Sequence, residues 1–526
     1  VNIAMLLDLI ADSFGDRTAI SDGAESLSYA ELRQIAQRVG AELVAEDAAT
    51  LAFVDACSAG VPAALFGSAW AGASYAPLNF RLPAEPLREQ LRRLERPSTV
   101  ASEKLAADLQ NPEGTAAVTP TPTWMQRMGD GSGGADGAAA YAEDPDRAAV
   151  ILFTSGSSGT PKAALLSHDN LASYVMDTVE FASAEEDEAL LLAAPPFHIA
   201  GVAAVLTSVY SGRRIIPLPA FSAEAWLDLA RTHGATHAFV VPTMLARIVQ
   251  LMDADPSLRV PTLRSLSYGG ARMALPIVER ALELFPETNF VNAYGLTETS
   301  STIAVLGPDD HREAFAGVDP GARRRLESVG RPLPGVEVGI FGESGDPLPT
   351  GSRGLIRVRG AQVSGQYLDT ATNLDAGGWL ETGDMGSIDD SGYLYVEGRV
   401  DDVIIKGGEN LSPSEIEDAL LRHAGVESVA VVGVPDQEWG ESVGAAVVLA
   451  SSMTGRLPDE VEEELCEWVR QQLGSLKTPS RVVVYEDLPV TASGKVLRRV
   501  VRDQLAADQP GDPGSLESDE STKGVP

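Results

Sequence analysis

Lysine is scarce in this chain of 526 residues, standing only at positions 104, 162, 406, 477, 495 and 523. The other basic residues are arginines, so the few lysines mark places where a compact, rotatable point charge is kept in preference to a planar guanidinium. Random survivors of codon bias are the plain alternative. Positive charge is short altogether: 40 Lys and Arg face 75 Asp and Glu, a formal net charge of −35. Such a surface repels nucleic acid and anionic lipid, and no basic stripe offsets it, so any anionic ligand has to be met by local donors. Cysteine occurs twice, as Cys57 and Cys466. That excludes a disulfide framework and points to a reducing cytoplasm. No apolar run reaches ~18 residues, so no membrane span is expected. Residues 1–16 lack a basic n-region and carry Asp8, which reads as an amphipathic helix rather than a signal peptide.

Apolar residues are plentiful, at 44%, and the length corresponds to roughly two to four structural units. In the first quarter of the chain helical and strand-like patterns alternate. Ser28 and Glu31 form a capping box, with Leu32, Ile35, Ala36, Val39 and Leu43 on one helical face behind it. Glycine-rich residues 129–140 read as a surface loop or linker. Short apolar runs such as 238–241 then alternate with helical stretches, one of them over 169–179 with Asp169 as its cap. That rhythm predicts α/β layers with a largely parallel sheet. Residues 330–398 carry short β-rich runs, a small β unit. Beyond them Ser412, Pro413 and Glu415 predict a helix start by N-cap, first-turn proline and closing glutamate. Strand-like runs at 429–434, 443–449 and 481–485, with a helix over 461–473, complete an α+β domain. The expected class is α/β: a large N-terminal domain over 1–400 with layered sheets and helices plus the small β unit, a small α+β domain over 401–506, and a disordered acidic tail over 507–526.

The stretch TSGSSGTPKA, residues 154–163, combines hydroxyls, glycines and Lys162 between two apolar runs. A Walker A loop has its lysine directly after the second glycine and opens a helix. Here Lys162 comes three residues after Gly159, behind Pro161, and strand-like KAALLS follows. The loop is therefore not a helix-dipole cradle. It reads as a hairpin loop whose hydroxyls and amides close over a polyphosphate, with a plain linker as the alternative.

Five motifs in order, TSGSSGTPKA, the glycine pair of SYGGARM, NAYGLTET, the run from ETGD to GRVDDVIIKGGEN, and PVTASGKVLRR, make the sequence resemble an AMP-forming acid–thiol ligase of the adenylate-forming superfamily. That group contains acyl- and aryl-CoA synthetases, luciferases and peptide-synthetase adenylation domains. The resemblance covers nearly the whole chain except the tail. It implies ATP, Mg²⁺ and CoA as co-substrates and cofactor. It places Thr154, Ser155, Gly156, Ser157, Ser158, Gly159, Thr160 and Lys162 on the β- and γ-phosphates, with serines at 157 and 158 where threonine is usual and Ala163 where glycine is commoner. Gly269, Gly270 and Ala271 would border adenine, and Gly270 also the acyl pocket. In the segment Asn292, Ala293, Tyr294 and Gly295, the Tyr294 ring would lie against adenine. Thr297 would donate to the α-phosphate, and Glu298, with Thr154, would hold Mg²⁺. Asp384 matches the ribose carboxylate and Arg399 a second ribose or phosphate contact. Lys495 matches the catalytic lysine that bridges the α-phosphate and the attacking carboxylate. Asp401 matches the hinge about which a mobile C-terminal domain rotates. Gly408, Glu409 and Trp439 would line the CoA tunnel.

His198, in PPFHIAG, resembles a gate between acyl pocket and thiol tunnel; a structural histidine is the alternative. Residues 202–206 hold no carboxylate to pair with a substrate ammonium, and an unpaired buried ammonium costs several kcal/mol, so an amino acid is not expected. Small apolar residues suggest a fatty or aromatic acid. Lys477 and Arg481 are candidates for CoA phosphates. The few basic residues around 478–480 keep open a carrier-protein phosphopantetheine as acceptor.

Overall fold

The computed structural model describes residues 1–23, 25–110, 117–131, 141, 148–154, 161–317, 320–369, 372–436, 438–450, 453, 455–491 and 496–507. The chain divides into two compact units, Val1–Val400 and a second built from Asp401–Thr491 with the chain from Val496 onward.

In the first unit the longest sheet runs Arg331–Pro332, Ser301–Leu306, Asn289–Leu296, Ser265–Gly269, His237–Val240, Ala189–Leu192, Arg214–Pro217, Thr18–Asp22, Glu25–Ser28. Its inner strands are parallel, and antiparallel strands close both edges. The inner strand Ala189–Leu192 is buried at every residue, as a parallel strand covered on both faces must be. A second sheet joins five parallel strands to antiparallel Lys162–Ser167 at its edge. The helix Gly60–Ala71 is buried from Gly60 through Trp70, the fate of a helix apolar all round. It packs on Tyr29–Ala45, which starts at the Ser28–Glu31 capping box. A third sheet, Val336–Phe341, Gly354–Gly360, Leu380–Ile388 and Leu394–Arg399, is wholly antiparallel.

The second unit is built on the long hairpin Val426–Asp436 and Gly440–Leu449, with Arg481–Tyr485 added in parallel. Helices Pro413–Leu421 and Pro458–Leu473 bury Ile416, Leu420, Val461 and Leu465 against one face. Helix Arg498–Ala507 buries Val501 and Leu505 against the other, beside Ala430, Val432 and Ala446.

Four local expectations change. The helix His168–Thr178 is capped by Ser167, with Asn170 closing the box, not by Asp169. Asp169 lies inside the first turn, where its charge suits the helix dipole, and it pairs with the N-terminal amine at 3.2 Å. Ser412 makes no side-chain capping bond to helix Pro413–Leu421, and Glu415 is drawn instead to Lys477 at 2.6 Å. The linker expected over 129–140 begins later, because helix Thr121–Asp130 runs through Gly129; residues 132–140 lie outside the described residues. The expected tail begins at Ala507, which is the last residue of a helix, and 508–526 lie outside the described residues. Among the described residues no helix is long and apolar enough to cross a membrane.

Candidate active site

Gly269, Gly270 and Ala271 lie where a parallel strand ends, the usual place of the ligand crevice in an open α/β sheet. Strand Ser265–Gly269 pairs with Asn289–Leu296 so that Tyr268 faces Asn292 and Gly269 faces Ala293. A Cβ on Gly269 would stand 2.1 Å from the Ala293 carbonyl oxygen, so only glycine permits this approach. Gly270 and Ala271 follow at the strand's exit. Behind them, buried Tyr268 meets buried His311: the phenol and His311 Nε2 are 2.9 Å apart, and His311 Nδ1 lies 2.7 Å from the Gly307 carbonyl. Burial holds His311 below the ordinary imidazole range. Neutral His311 thus donates from Nδ1 and accepts the Tyr268 proton at Nε2.

After Leu296 the chain makes one tight turn, Thr297–Thr299, and leaves through Ser300 at φ 55° and Ser301 at φ 120°. Two successive non-glycine residues at positive φ are strained, and such strain persists only where surroundings over-determine it. The surroundings are visible. Thr299 Oγ1 accepts from Leu296 N–H at 2.9 Å. Gln362 Nε2 donates to the Thr299 and Thr302 carbonyls, each at 2.8 Å. Ser364 N–H donates to the Glu298 carbonyl at 2.7 Å. The turn presents Glu298, whose Oε1 accepts from Tyr367 O–H at 2.6 Å.

On the neighbouring sheet, Asp384 and Arg399 are cross-strand partners. Arg399 Nη1 donates to Asp384 Oδ1 at 3.2 Å and to the Thr382 carbonyl at 2.9 Å. Tyr294 donates its hydroxyl to Asp384 Oδ2 at 2.5 Å. Burial, then the charge of Asp384, pushes the Tyr294 phenol far above its ordinary value, so it remains a donor. Gly383 is at φ 74°, which swings Thr382 and Asp384 into these contacts. Asp384 is only 6% exposed, a buried side chain whose two oxygens are met by a guanidinium and a phenol. Asn292, the first residue of this motif, spends its amide on the Ser328 carbonyl at 3.2 Å.

Thr154 and Lys162 face each other at the open end of the antiparallel pair Ala148–Thr154 and Lys162–Ser167. Thr154 Oγ1 donates to the Lys162 carbonyl at 3.4 Å, and Lys162 Nζ lies 5.7 Å from the Tyr367 ring centre. Arg93 donates to the Pro161 carbonyl at 2.8 Å and pairs with Asp369. Ser155, Gly156, Ser157, Ser158, Gly159, Thr160 and Lys495 lie outside the described residues. His198 precedes helix Ile199–Ser211, beyond the end of strand Ala189–Leu192, and its carbonyl accepts from Gly201 and Val202. Ahead of it Phe197 packs edge-on against Phe80, ring centres 5.8 Å apart.

In the second unit Asp401 lies in the single turn Val400–Asp402 and is exposed. Gly408 occupies the turn between Ile404–Lys406 and Glu409–Leu411. Trp439, 46% exposed, stands beside that turn: its carbonyl accepts from Gly407 N–H at 2.9 Å, and a Cβ on Gly407 would be 2.7 Å from its ring. Gly408, Glu409 and Trp439 thus form one exposed patch. Lys477, a candidate for a CoA phosphate, pairs with both Glu415 oxygens, at 2.6 and 2.7 Å.

Among the described residues no three His, Cys, Asp or Glu converge on one point. A single carboxylate with a hydroxyl nearby suits Mg²⁺ that arrives already ligated by phosphate oxygens. Glu298 fits that use, with one oxygen engaged by Tyr367.

Sequence reasoning missed Tyr367, Gln362, His311 and Arg93. None belongs to a run of chemically distinctive residues.

Comparison with known proteins accords with this geometry. The chain is 33% identical over 495 residues to a feruloyl-CoA synthase of Amycolatopsis sp, covering 92% of this chain and 95% of that protein. It is 34% identical over 378 residues to the fatty acid–[acyl-carrier-protein] ligase ScoC of Streptomyces coeruleorubidus, 69% of each. Its fold is similar to that of the o-succinylbenzoate CoA synthetase MenE from Bacillus subtilis in complex with the acyl-adenylate OSB-AMP, with a TM-score of 0.80, 27% identity, and coverage of 96% of this chain and 99% of that one. Residues 7–368 match the family described as AMP-binding enzyme and residues 415–495 its C-terminal domain. The chain belongs to the AMP-binding enzyme family.

Proposed function

We propose that this protein is an AMP-forming acid–CoA ligase acting on an apolar carboxylic acid, fatty or aromatic. The observation that supports it most is the double anchoring of one turn: Tyr294 ties its entry to the buried Asp384–Arg399 pair, and Tyr367 ties Glu298 to the phosphate hairpin. A nucleotide has a ribose to be gripped at one end and a triphosphate to be neutralised at the other. This site offers both in a chain of strongly negative net charge.

The reaction proceeds in two steps. A carboxylate oxygen of the acid attacks the α-phosphorus of ATP, the α–β phosphoanhydride bond breaks, and pyrophosphate leaves with its electron pair. The CoA thiol then attacks the acyl carbon, losing its proton, and AMP leaves. Asp384 accepts hydrogen bonds from the ribose hydroxyls, and Arg399 holds that carboxylate in place. Thr297 donates to the α-phosphate. Lys162 and the loop hydroxyls meet the charge that grows on the leaving pyrophosphate. Glu298 would hold Mg²⁺, which when bound would supply charge neutralisation on the phosphates. Lys495 offsets the repulsion between acid carboxylate and α-phosphate. His198 gates the acyl pocket, and the absence of a carboxylate over 202–206 disfavours a substrate ammonium. For the second step the C-terminal domain turns about Asp401 and brings the patch of Gly408, Glu409 and Trp439 to the thiol. Free Cys57 and Cys466 suit a reducing cytoplasm.

The engagement of Lys477 by Glu415 favours a second reading for the acceptor, a carrier-protein phosphopantetheine. Pyrophosphate release across fatty, aryl and dicarboxylic acids, with and without CoA, tests both. Release of AMP that saturating CoA accelerates supports the first reading. AMP release only with a phosphopantetheinylated carrier supports the second, and no release with any acid refutes both.

A further inference from the structure

We infer that Tyr367 is a positioning residue that holds Glu298 and Lys162 in mutual register at the metal–phosphate end of the site; this rests on the function proposed above. Residues 364–368 lie along the open edge of strand Lys162–Ser167. Leu165 N–H donates to the Gln366 carbonyl at 3.0 Å, and Leu368 N–H donates to the Ala163 carbonyl at 2.9 Å. Ala164 and Tyr367 are antiparallel partners between them. Ser364 adds a hydroxyl bond to the Leu165 carbonyl at 2.5 Å. Tyr367 is therefore fixed in register by backbone bonds on both sides, and a slip of one residue would point it the other way.

From that place the side chain does two things. Its hydroxyl donates to Glu298 Oε1 at 2.6 Å, and its ring face lies within cation–π reach of Lys162 Nζ, at 5.7 Å. A carboxylate with one oxygen engaged by a fixed donor keeps one rotamer and offers the other oxygen to a cation. Loss of such a supporting donor commonly weakens metal affinity ~10- to 100-fold. The turn itself does not depend on the hydroxyl, because Gln362 and Ser364 hold its backbone independently.

The test compares the full-length wild type with Tyr367→Phe, Glu298→Gln and the double variant. Mn²⁺ affinity is measured by electron paramagnetic resonance in the presence of α,β-methylene-ATP, alongside thermal midpoints and the Mg²⁺ dependence of pyrophosphate release. Tyr367→Phe is expected to keep the wild-type midpoint and to weaken Mn²⁺ binding ~10-fold. In the Glu298→Gln background the same change is expected to add little, because its effect passes through Glu298. Unchanged Mn²⁺ affinity in Tyr367→Phe, or losses that add fully in the double variant, overturn the inference. A lowered midpoint with unchanged affinity also overturns it, since that is a purely structural role. A wild-type chain that releases pyrophosphate with none of the acids tested fails the proposed function itself. A wild type that releases it with at least one acid, beside a Tyr367→Phe variant of equal metal affinity, fails the Tyr367 inference alone.

Discussion

Tyr294 O–H and Asp384 Oδ2 are 2.5 Å apart, across 90 residues of sequence. The bond joins the large mixed sheet to the small antiparallel one at the point where Arg399 also reaches the carboxylate. A ring expected to serve adenine by its face thus also holds, by its hydroxyl, the carboxylate proposed for the ribose. The two tasks are compatible because the face and the hydroxyl point in perpendicular directions.

Tyr294→Phe separates them. The ring and its volume remain, while a buried carboxylate oxygen loses one donor, which costs ~1–3 kcal/mol. The expected result is a lower thermal midpoint and a raised KM for ATP with a smaller change in kcat. Calorimetry and pyrophosphate-release kinetics check it. An unchanged midpoint would mean that water or Arg399 takes over the vacated lone pair.

Asp384→Asn removes the charge while keeping the shape. Arg399 then loses its counter-charge but keeps the Thr382 carbonyl, and the side chain offers one acceptor oxygen where the carboxylate offered two, so the proposed ribose contact loses an acceptor. ATP affinity should fall at least ~10-fold, about 1.4 kcal/mol, measured by equilibrium binding of ATP. Equal affinity in the variant would place the ribose elsewhere.

His311 gives the protein an acid sensitivity of defined sign. Burial holds it below its ordinary value in the folded state, whereas the unfolded chain takes up the proton near pH ~6.5. The unfolded state therefore binds more protons as pH falls. Stability is complete above ~6.5 and is lost as pH drops toward the folded value. Protonation also removes the Nε2 lone pair that accepts from Tyr268. His237 is depressed in the same direction, by burial first and by Arg213 next, against Glu188. Thermal midpoints should decline between pH 7 and 5, and His311→Gln should make that decline shallower without abolishing it. An identical slope in the variant would assign the sensitivity to His237 or to other groups.

Much of the architecture is legible in sequence because its causes are local. Apolar runs such as 238–241 can only be inner strands when helices alternate with them, and the Ser28–Glu31 box closes within three residues. The failures have non-local causes. Glu415 reads as a capping residue until Lys477, 62 residues on, claims it. Ser167 and Asp169 are both good caps, and only the path of the chain decides for Ser167. The site divides the same way. Residues in contiguous motifs announce themselves, while Tyr367 and His311 act on partners 69 and 43 residues away and carry no pattern of their own.

Lys495 lies in a motif of the C-terminal region, and its proposed task belongs only to the first half-reaction. Lys495→Ala should depress adenylation at least ~100-fold, about 2.7 kcal/mol of transition-state stabilisation. Thioester formation from supplied acyl-AMP should change far less. Pyrophosphate exchange measures the first and thiol consumption the second. Equal losses in both would remove the lysine from the bond-making centre.

Asp401 offers the complementary experiment. It is exposed in the one-turn segment Val400–Asp402, at the first residue of the second unit. Its neighbour Asp402 is held by Arg498 at 3.4 Å within that unit. Proline at 401 fixes its own φ and drives Val400 toward extended backbone. If the C-terminal domain turns about this point between half-reactions, Asp401→Pro should hold adenylation within ~10-fold while thioester formation falls ~100-fold or more, the mirror image of Lys495→Ala. The physical reason is that a proline restricts the backbone at 400 and 401 and so hinders passage from one arrangement to the other. Thioester turnover at the wild-type rate in Asp401→Pro would show that the second half-reaction needs no rotation at this residue.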